Sequence, residues 1–246
     1  MPTPWPKWCK MWSNNSAEIT PGGLLLIDKP KDFSSHDIVA IARRALKIKK
    51  IGHSGTLDPM ATGLLILLVG REATKQQDRF LKLSKTYSAT LTLGQETDSW
   101  DACGRITAEV PVPELTQKTV EQAAKKLSGE IEQPIPFFSA KKVQGWPMYS
   151  LARQGQTIAR KYSKITVAWT HICLRAPDTI DFTVHCSCGT YVRALGYLLA
   201  RQLGTVGHLT MLRRLSIGEY KVDNAFDGVK LKQTPAEQLY ERIVAV

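Results

Sequence analysis

The most informative stretch of this sequence is Gly52-His53-Ser54-Gly55-Thr56-Leu57-Asp58-Pro59-Met60-Ala61-Thr62-Gly63. Its glycines allow close and unusual backbone turns, and Pro59 disfavours helical geometry at Asp58. A carboxylate on such a restricted segment, between flexible turns, is suited to act as a reactive group at the edge of a cleft. An Asp-Pro turn in which Asp58 only caps backbone amides explains the same pattern. This stretch alone leaves both interpretations of Asp58 open.

Hydrophobic periodicity on both sides of this stretch predicts a mixture of strands and helices. Buried or half-buried strands are predicted at residues 24–27, 64–69, 86–93 and 180–189. Helices are predicted from Ser34 and Ser35 as far as Ile48, at residues 72–83 and 120–127, and after residue 190. Because these elements interleave without a regular βαβ rhythm, we expect an α+β fold with a mixed sheet.

The predicted elements fit one large domain at residues 21–220. The interval at about 95–145 is long, polar and proline-containing, which is typical of a functional insertion between regular strands. Residues 1–20 lack hydrophobic periodicity, so we expect a disordered extension there. Residues 221–246 leave room for a short tail or helix, and no separate C-terminal domain is expected.

The charge of the chain favours a polyanionic partner. The formal net charge is +11, from 33 Lys and Arg against 22 Asp and Glu. A basic protein without a nucleic-acid partner is the alternative on charge alone. No apolar run approaches the roughly 20 residues of a membrane helix, and the N-terminus lacks a signal-peptide pattern. We therefore expect a cytoplasmic protein that does not associate with membranes.

Cysteine usage argues against disulfides and against a metal site. The five cysteines are scattered along the chain, at positions 9, 103, 173, 186 and 188. An odd and scattered set does not form a disulfide framework, so reduced thiols are expected. His185, Cys186 and Cys188 are close in sequence, but neighbours on one strand cannot all point at one ion. We predict no metal site.

Two further residues are candidates for a reactive site. Tyr87 is in phase with the apolar face of the strand at 86–93, where its ring can form the floor of a pocket and its phenol can transfer protons. An ordinary core tyrosine explains Tyr87 equally well when it is considered alone. Arg193 falls on the first turn of the helix after residue 190, where a guanidinium can pair with a carboxylate. An isolated arginine there would carry little information.

Several motifs in this order and spacing resemble one known family. They lie at residues 22–30, 34–35, 52–63, 72–75, 85–87, 93–98, 136–155, 186–193 and 212–215. On these motifs the chain resembles the TruB family of tRNA pseudouridine synthases over about residues 22–220. The resemblance implies a pseudouridine synthase fold, with a mixed and largely antiparallel sheet flanked by helices around a central RNA-binding cleft.

The resemblance also implies a reaction. The family isomerises uridine 55 in the T loop of tRNA to pseudouridine, by flipping the base and using an aspartate nucleophile. No cofactor, no obligate protein partner and no guide RNA are expected; the partner is the T arm of tRNA, and a monomer suffices. The alternative is a tRNA-folding chaperone of the same ancestry that does not modify its RNA. An intact set of Asp58, Tyr87 and Arg193 favours the enzyme.

Family roles can be carried over by position. Asp58 is then the nucleophile, Tyr87 stacks on the target base and can serve as the base in the isomerisation, and Arg193 pairs with Asp58. The remaining expected contacts to substrate or RNA are His53, which inserts into the RNA loop, Tyr191 and Leu212, which line the pocket, and Lys29, Lys75 and Lys85.

Two departures from the family pattern affect the expected RNA contacts. Cys188 stands where the family usually has lysine, so one basic contact is expected to be missing. The sequence also stops where many members continue into a small C-terminal RNA-binding domain. We expect this to weaken the grip on tRNA while leaving the catalytic cleft intact.

Overall fold

A computed structural model describes residues 22–138 and 161–246 in full, and the backbone of residues 142–143 and 146–147. The predicted disordered extension at residues 1–20 lies outside the described residues. So does much of the motif at 136–155.

Ten strands of the described chain form one sheet. They are β1 (Gly23–Lys29), β2 (Ile51–His53), β3 (Thr62–Val69), β4 (Lys85–Leu93), β7 (Gly129–Pro134), β10 (Tyr162–Ala176), β11 (Thr179–Cys186), β12 (Gly207–Ile217), β13 (Tyr220–Lys221) and β14 (Phe226–Asp227). The order is β14-β1-β3-β12-β4-β11-β10-β7, with β2 added to β3 and β13 added to β12. Two hairpins lie outside this sheet, β5 (Gln95–Thr97) with β6 (Ile106–Glu109) and β8 (Lys142–Val143) with β9 (Trp146–Pro147).

Helices pack on this sheet in three buried clusters. They are α1 (Ser35–Ala45), α2 (Gly70–Lys75), α3 (Gln77–Leu81), α4 (Gln117–Lys126), α5 (Val192–Gln202) and α6 (Ala236–Tyr240). Helices α1 and α6 pack on one face of β1 and β3, and α2 and α3 pack on the other. Helices α4 and α5 cover β4, β10, β11 and β12. Within the sheet, β1 pairs with β14 and β3 with β12 in parallel, and the other pairs are antiparallel. The predicted α+β class with a mixed, largely antiparallel sheet is confirmed.

Several predicted boundaries differ from the structure. Helix α1 is capped by Ser34 as predicted, but it ends at Ala45 rather than Ile48, because Lys47 adopts a left-handed conformation with φ of 53°. The helix predicted at 72–83 is two short helices, which are interrupted at Gln76. Helix α4 begins three residues before residue 120, since Thr116 accepts a capping bond from the Thr119 amide.

The end of the strand predicted at 180–189 also differs. Strand β11 ends at Cys186, and Ser187 then bonds to Thr166 of β10 through both its amide and its hydroxyl. Gly189 has a φ of 80°, a left-handed value that turns the chain towards α5. The turn therefore starts earlier than the hydrophobic pattern indicates.

Parts of the chain outside the predicted regular strands also join the main fold. Strand β7, from the interval predicted as an insertion, pairs with β10 at one edge of the sheet. At the other end of the chain, Leu231, Leu239 and Ile243 are buried in the same cluster as Ile38 of α1. The Leu24 amide donates to the Val244 carbonyl at 2.8 Å, which attaches the C-terminal segment to β1.

The two halves of the sheet meet at a short junction between β3 and β12. These strands have eight and eleven residues, yet they pair only at Thr62 with Arg213 and at Gly63 with Arg214. Gly63 has a φ of 102°, and a Cβ there would overlap the Arg214 backbone. Glycine is therefore required at this junction, which lies at the end of the loop that carries Asp58.

Candidate active site

The loop between β2 and β3 carries Asp58 and is fixed on both sides of it. The hydroxyl of Ser35, which is fully buried, accepts a 2.8 Å bond from the Leu57 amide and donates at 3.2 Å to the Leu57 carbonyl. On the other side, the Asp32 amide donates to the Pro59 carbonyl at 2.8 Å. Leu57 is buried, whereas the Asp58 side chain is 36% exposed. The loop is thus held rigidly while its carboxylate remains accessible.

Arg193 forms an ion pair with this carboxylate. Its Nε lies 2.9 Å from Oδ2 of Asp58, and the arginine side chain is only 4% exposed. Nη1 donates to the Ser99 carbonyl at 2.7 Å and Nη2 to the Phe138 carbonyl at 2.9 Å. Because three different groups hold the planar guanidinium, its orientation towards Asp58 is fixed.

A second carboxylate, which sequence reasoning missed, lies on the same guanidinium. Oδ2 of Asp101 is 3.5 Å from Nη1 of Arg193, and the Asp101 side chain is 6% exposed. Its Oδ1 accepts bonds from the Ser99 hydroxyl at 2.6 Å and from the Cys103 amide at 3.0 Å. Two carboxylates therefore flank one buried cation. The polar stretch around Asp101 gives no hydrophobic pattern that would have predicted its burial.

Tyr87 lies in the middle of the sheet, between Val184 on β11 and Arg214 on β12. It is buried in the same cluster as Leu57 and Leu212. Burial raises the pKa of the Tyr87 phenol, and the positive charge of Arg214 opposes this only in part. The phenol therefore keeps its proton at neutral pH.

Arg214 is a second residue that sequence reasoning did not single out. It is 1% exposed, and its Nε donates to the Leu64 carbonyl at 2.7 Å. Its Nη2 donates to the Gly55 carbonyl at 3.1 Å, and its positive charge acts on the Tyr87 phenol. Arg214 thus connects strand β12 to both the Asp58 loop and the tyrosine. The motif at 212–215 contains two arginines, and the sequence does not indicate which one is buried.

Tyr191 precedes the first turn of α5, which carries Arg193. Its amide donates to Oε1 of Gln133 at 2.9 Å, and Nε2 of Gln133 donates to the Gly189 carbonyl at 2.7 Å. Gln133 is fully buried, so it fixes the turn that positions α5. Tyr191 itself is half-buried.

His53 lies at the end of β2, before the Asp58 loop. Its ring meets His36 edge-on, with 5.4 Å between centroids and 90° between planes. Burial lowers the pKa of His53 to about 4, and the charges of His36 and Arg214 add to this effect. In the part of the chain that the structure describes, Nδ1 of His53 has no hydrogen-bond partner. The ring is therefore neutral at physiological pH, and its Nδ1 is a buried polar atom.

The three lysines expected to contact RNA lie in different environments. Lys29 is fully buried, and its Nζ donates to the carbonyls of Phe33 at 2.6 Å, Pro30 at 2.9 Å and Pro59 at 3.4 Å. Burial lowers its pKa to about 8.

Lys85 is also buried, and its Nζ donates at 2.6 Å to the carbonyls of both Leu81 and Leu83. The structure therefore leaves neither the Lys29 nor the Lys85 ammonium accessible to a phosphate; both groups fix backbone instead. Lys75 is exposed, in a surface pair with Glu72 at 2.7 Å.

Metal-binding and membrane-spanning features were sought in residues 22–138 and 161–246. There, the His, Cys, Asp and Glu side chains form no group of three that could hold a metal ion. Within the same ranges, every helix is too short or too polar to cross a membrane. Cys186 is buried and Cys188 is exposed.

Similarity to known proteins identifies the family. A family model described as TruB family pseudouridylate synthase (N terminal domain) matches residues 43–192, which is more than half of the chain. The chain belongs to the TruB family. As a TruB family pseudouridylate synthase, the protein is an isomerase, because uridine and pseudouridine contain the same atoms.

Individual relatives of this TruB family member agree with the assignment. It is 40% identical to the tRNA pseudouridine synthase B of Opitutus terrae, over 91% of this chain and 92% of the relative. It is 46% identical to the protein of the same name from Aromatoleum aromaticum, over 87% of this chain and 69% of that one.

A solved structure supports the fold. The crystal structure of the archaeal box H/ACA sRNP Nop10-Cbf5 complex matches with a TM-score of 0.64 at 23% identity, over 90% of this chain and 58% of that one. Together with the family match, this similarity confirms the predicted pseudouridine synthase fold.

Proposed function

We propose that this protein converts uridine 55 in the T loop of tRNA to pseudouridine, with Asp58 as the nucleophile. The observation that carries the proposal is the ion pair of 2.9 Å between an accessible Asp58 and a buried Arg193. The relatives named tRNA pseudouridine synthase B support tRNA as the substrate. The protein is expected to act in the cytoplasm as a monomer. It should need no guide RNA, protein partner or added cofactor.

The two oxygens of the Asp58 carboxylate have different roles in this proposal. Oδ2 is held by Nε of Arg193. Oδ1 accepts no hydrogen bond from any residue that the structure describes, so it is available to attack. A fixed cation stabilises the negative charge of a nucleophilic carboxylate in a site from which bound substrate excludes water. Arg193 therefore orients Asp58 and supports its charge.

The uracil base is proposed to lie between Tyr87 and Leu212. Uridine must leave the RNA stack before its glycosidic bond can be reached, which costs a few kcal/mol. Stacking on an aromatic ring recovers about 1–3 kcal/mol per base. Because burial raises the pKa of Tyr87, the ring is better suited to stacking and to hydrogen bonding than to accepting a proton. The role of Tyr87 as a stacking surface is thus favoured over its role as the base.

His53 is proposed to enter the gap that the flipped nucleotide leaves. A neutral imidazole can stack between bases without the desolvation cost of a charge. Burial lowers the pKa of His53 to about 4, which keeps the ring neutral. Tyr191, at the start of α5, is proposed to line the pocket, and Lys75 to contact RNA at the surface.

The reaction is an isomerisation whose atoms balance within the substrate. The bond between C1′ of ribose and N1 of uracil breaks, a bond between C1′ and C5 forms, the proton on C5 is lost, and N1 is protonated. Asp58 can assist this exchange by attack on the sugar or on the base, or through a glycal intermediate. The detached uracil must rotate without diffusing away, and the buried side chains of Tyr87 and Leu212 are suited to retaining it.

The experiment that tests the proposal combines purified protein with an unmodified tRNA transcript and maps pseudouridine. Uridine 55 is expected to be converted. Asp58→Asn is expected to give no product, with the Kd for tRNA within about tenfold, or roughly 1.4 kcal/mol. Full activity in Asp58→Asn would remove this residue from its role, and product at another position would contradict the site assignment. Faster tRNA refolding without any product would favour the chaperone.

A further inference from the structure

The chain between Asp37 and Asp58 carries positive charge without any acidic residue. Residues 38–57 contain five cations, Arg43, Arg44, Lys47, Lys49 and Lys50. All five side chains are exposed. They span the end of helix α1 and the turn into strand β2.

The fold brings a sixth cation to this region. Nη2 of Arg43 donates to the Ile51 carbonyl at 2.7 Å, which joins the end of α1 to the start of β2. The Gly70 amide donates to the Lys50 carbonyl at 2.8 Å, so the exposed Arg71 at the start of α2 lies next to the start of β2. We call this surface the basic strip. It consists of Arg43, Arg44, Lys47, Lys49, Lys50 and Arg71.

The charge of the basic strip is not neutralised by the protein. None of its six side chains lies within 4 Å of a carboxylate in the residues that the structure describes. Glu72, which follows Arg71 in the sequence, is paired with Lys75 at 2.7 Å. The C-terminal dipole of α1 accounts for Arg43 and Arg44 in its last turn. It does not account for the cations beyond the helix.

The strip leads directly to the candidate active site. Strand β2 runs from Ile51, next to Lys50, to His53. At about 3.3 Å per residue, Lys50 lies roughly 10 Å from His53, a few nucleotides along an RNA strand. Phosphate contacts of this kind fix the register of a nucleic acid without reading its sequence.

We propose that the basic strip binds backbone phosphates of the substrate RNA on the His53 side of the flipped nucleotide. The inference rests on the proposed function, because it takes RNA as the substrate. The strip holds the part of the RNA that lies outside the candidate active site, while Asp58 acts on the flipped nucleotide. An acidic protein as the partner of this surface is the competing possibility.

A triple variant, Arg44→Gln with Lys49→Gln and Lys50→Gln, tests the strip. Arg43 is left unchanged because its bond to Ile51 supports the fold. The Kd for an unmodified tRNA transcript is measured by fluorescence anisotropy at several salt concentrations. We expect the Kd to rise at least about tenfold at low salt. The slope of log Kd against log salt concentration should become less steep by about two to three. The effect should fall on KM far more than on kcat.

A matched control removes the same charge elsewhere. Lys118, Lys125 and Lys126 are exposed on helix α4, and the last two lie in its final turn, as Arg43 and Arg44 do in α1. The glutamine triple variant of these lysines is expected to keep the Kd for tRNA within about twofold and the salt dependence of the wild type. Thermal unfolding of both variants confirms that they are folded.

The outcomes separate this inference from the proposed function. An unchanged Kd and salt dependence in the strip variant would overturn the inference and leave an acidic protein as the partner to be sought. An equal loss in the α4 variant would also overturn it, since only net charge would then matter. Strip-dependent binding by a wild-type protein that forms no pseudouridine would support the strip and remove the proposed function.

Discussion

Asp101 is buried beside Arg193, with its Oδ2 3.5 Å from Nη1 of the guanidinium. Asp101→Asn preserves the shape of the side chain but removes a negative charge that stabilises and orients Arg193. We expect kcat to fall about 100-fold, because the cation that positions Asp58 loses a fixed partner. The Kd for tRNA should change less than about threefold. Single-turnover kinetics and equilibrium binding measure the two quantities separately.

The control for this prediction is Asp98→Asn. Asp98 is close in sequence, but its partner Arg105 lies 3.7 Å away and is 94% exposed. Activity within about twofold of the wild type is expected, since a pair with so exposed an arginine contributes little. Wild-type kcat in Asp101→Asn would show that backbone carbonyls suffice to orient Arg193.

Ser35 is expected to stabilise the loop that carries Asp58 through its bonds to Leu57. Ser35→Ala leaves the buried Leu57 amide without its 2.8 Å acceptor. We expect the free energy of unfolding to fall by about 1–3 kcal/mol, with a lower kcat because the neighbouring Asp58 shifts. Ser88→Ala, at a half-buried position of strand β4, should stay within about 0.5 kcal/mol. Urea unfolding measures the free energy of unfolding of both variants. Equal decreases would contradict a specific role for Ser35.

Gly63 is expected to be required for two reasons: a side chain there would overlap its neighbours, and its φ is left-handed. Gly63→Ala would place a Cβ against the Arg214 backbone at the junction of β3 and β12, and we expect a loss of more than about 2 kcal/mol. Gly189 has a similar left-handed φ of 80°, but the space that a Cβ would occupy there is open. Gly189→Ala should therefore cost only about 1 kcal/mol of backbone strain. Comparable losses, measured by denaturant unfolding, would rule out the contact.

The lowered pKa of His53 predicts that the stability of the protein depends on pH. Its pKa is lowered from 6.5 to about 4 in the folded protein, so between these values the unfolded chain binds more protons. The free energy of unfolding should therefore fall as the pH decreases from 6.5 towards 4, by about 1–2 kcal/mol at pH 5. His53→Asn should lack this part of the decrease. NMR titration of the ring provides a direct check; protonation near pH 6.5 would contradict it.

Sequence pattern predicts the elements of this fold better than it predicts which charged groups are buried. Alternation at β4 and helical spacing in α1 are local consequences of having one buried face, so they can be read from neighbouring residues. The pairing of Asp58 with Arg193 joins positions far apart in the chain and was expected only through the family resemblance. Periodicity alone treats both as polar residues.

The same limit explains the missed and misplaced cations. Lys29 and Lys85 were expected to contact RNA, but each is enclosed by backbone carbonyls that no residue type specifies in advance. Arg214 is buried for the same reason, by the Leu64 and Gly55 carbonyls. Every residue has a backbone carbonyl, so the sequence does not show which carbonyls will surround a given side chain. Only the folded path of the chain determines this.

Arg214 has a consequence for any attempt to redesign the pocket. A single side chain bonds to the loop that carries Asp58 and belongs to the residue that pairs with Tyr87 across the sheet. Widening one wall to admit a larger nucleobase would therefore displace the other. We therefore expect a change of specificity to need coordinated substitutions in two distant stretches of the chain.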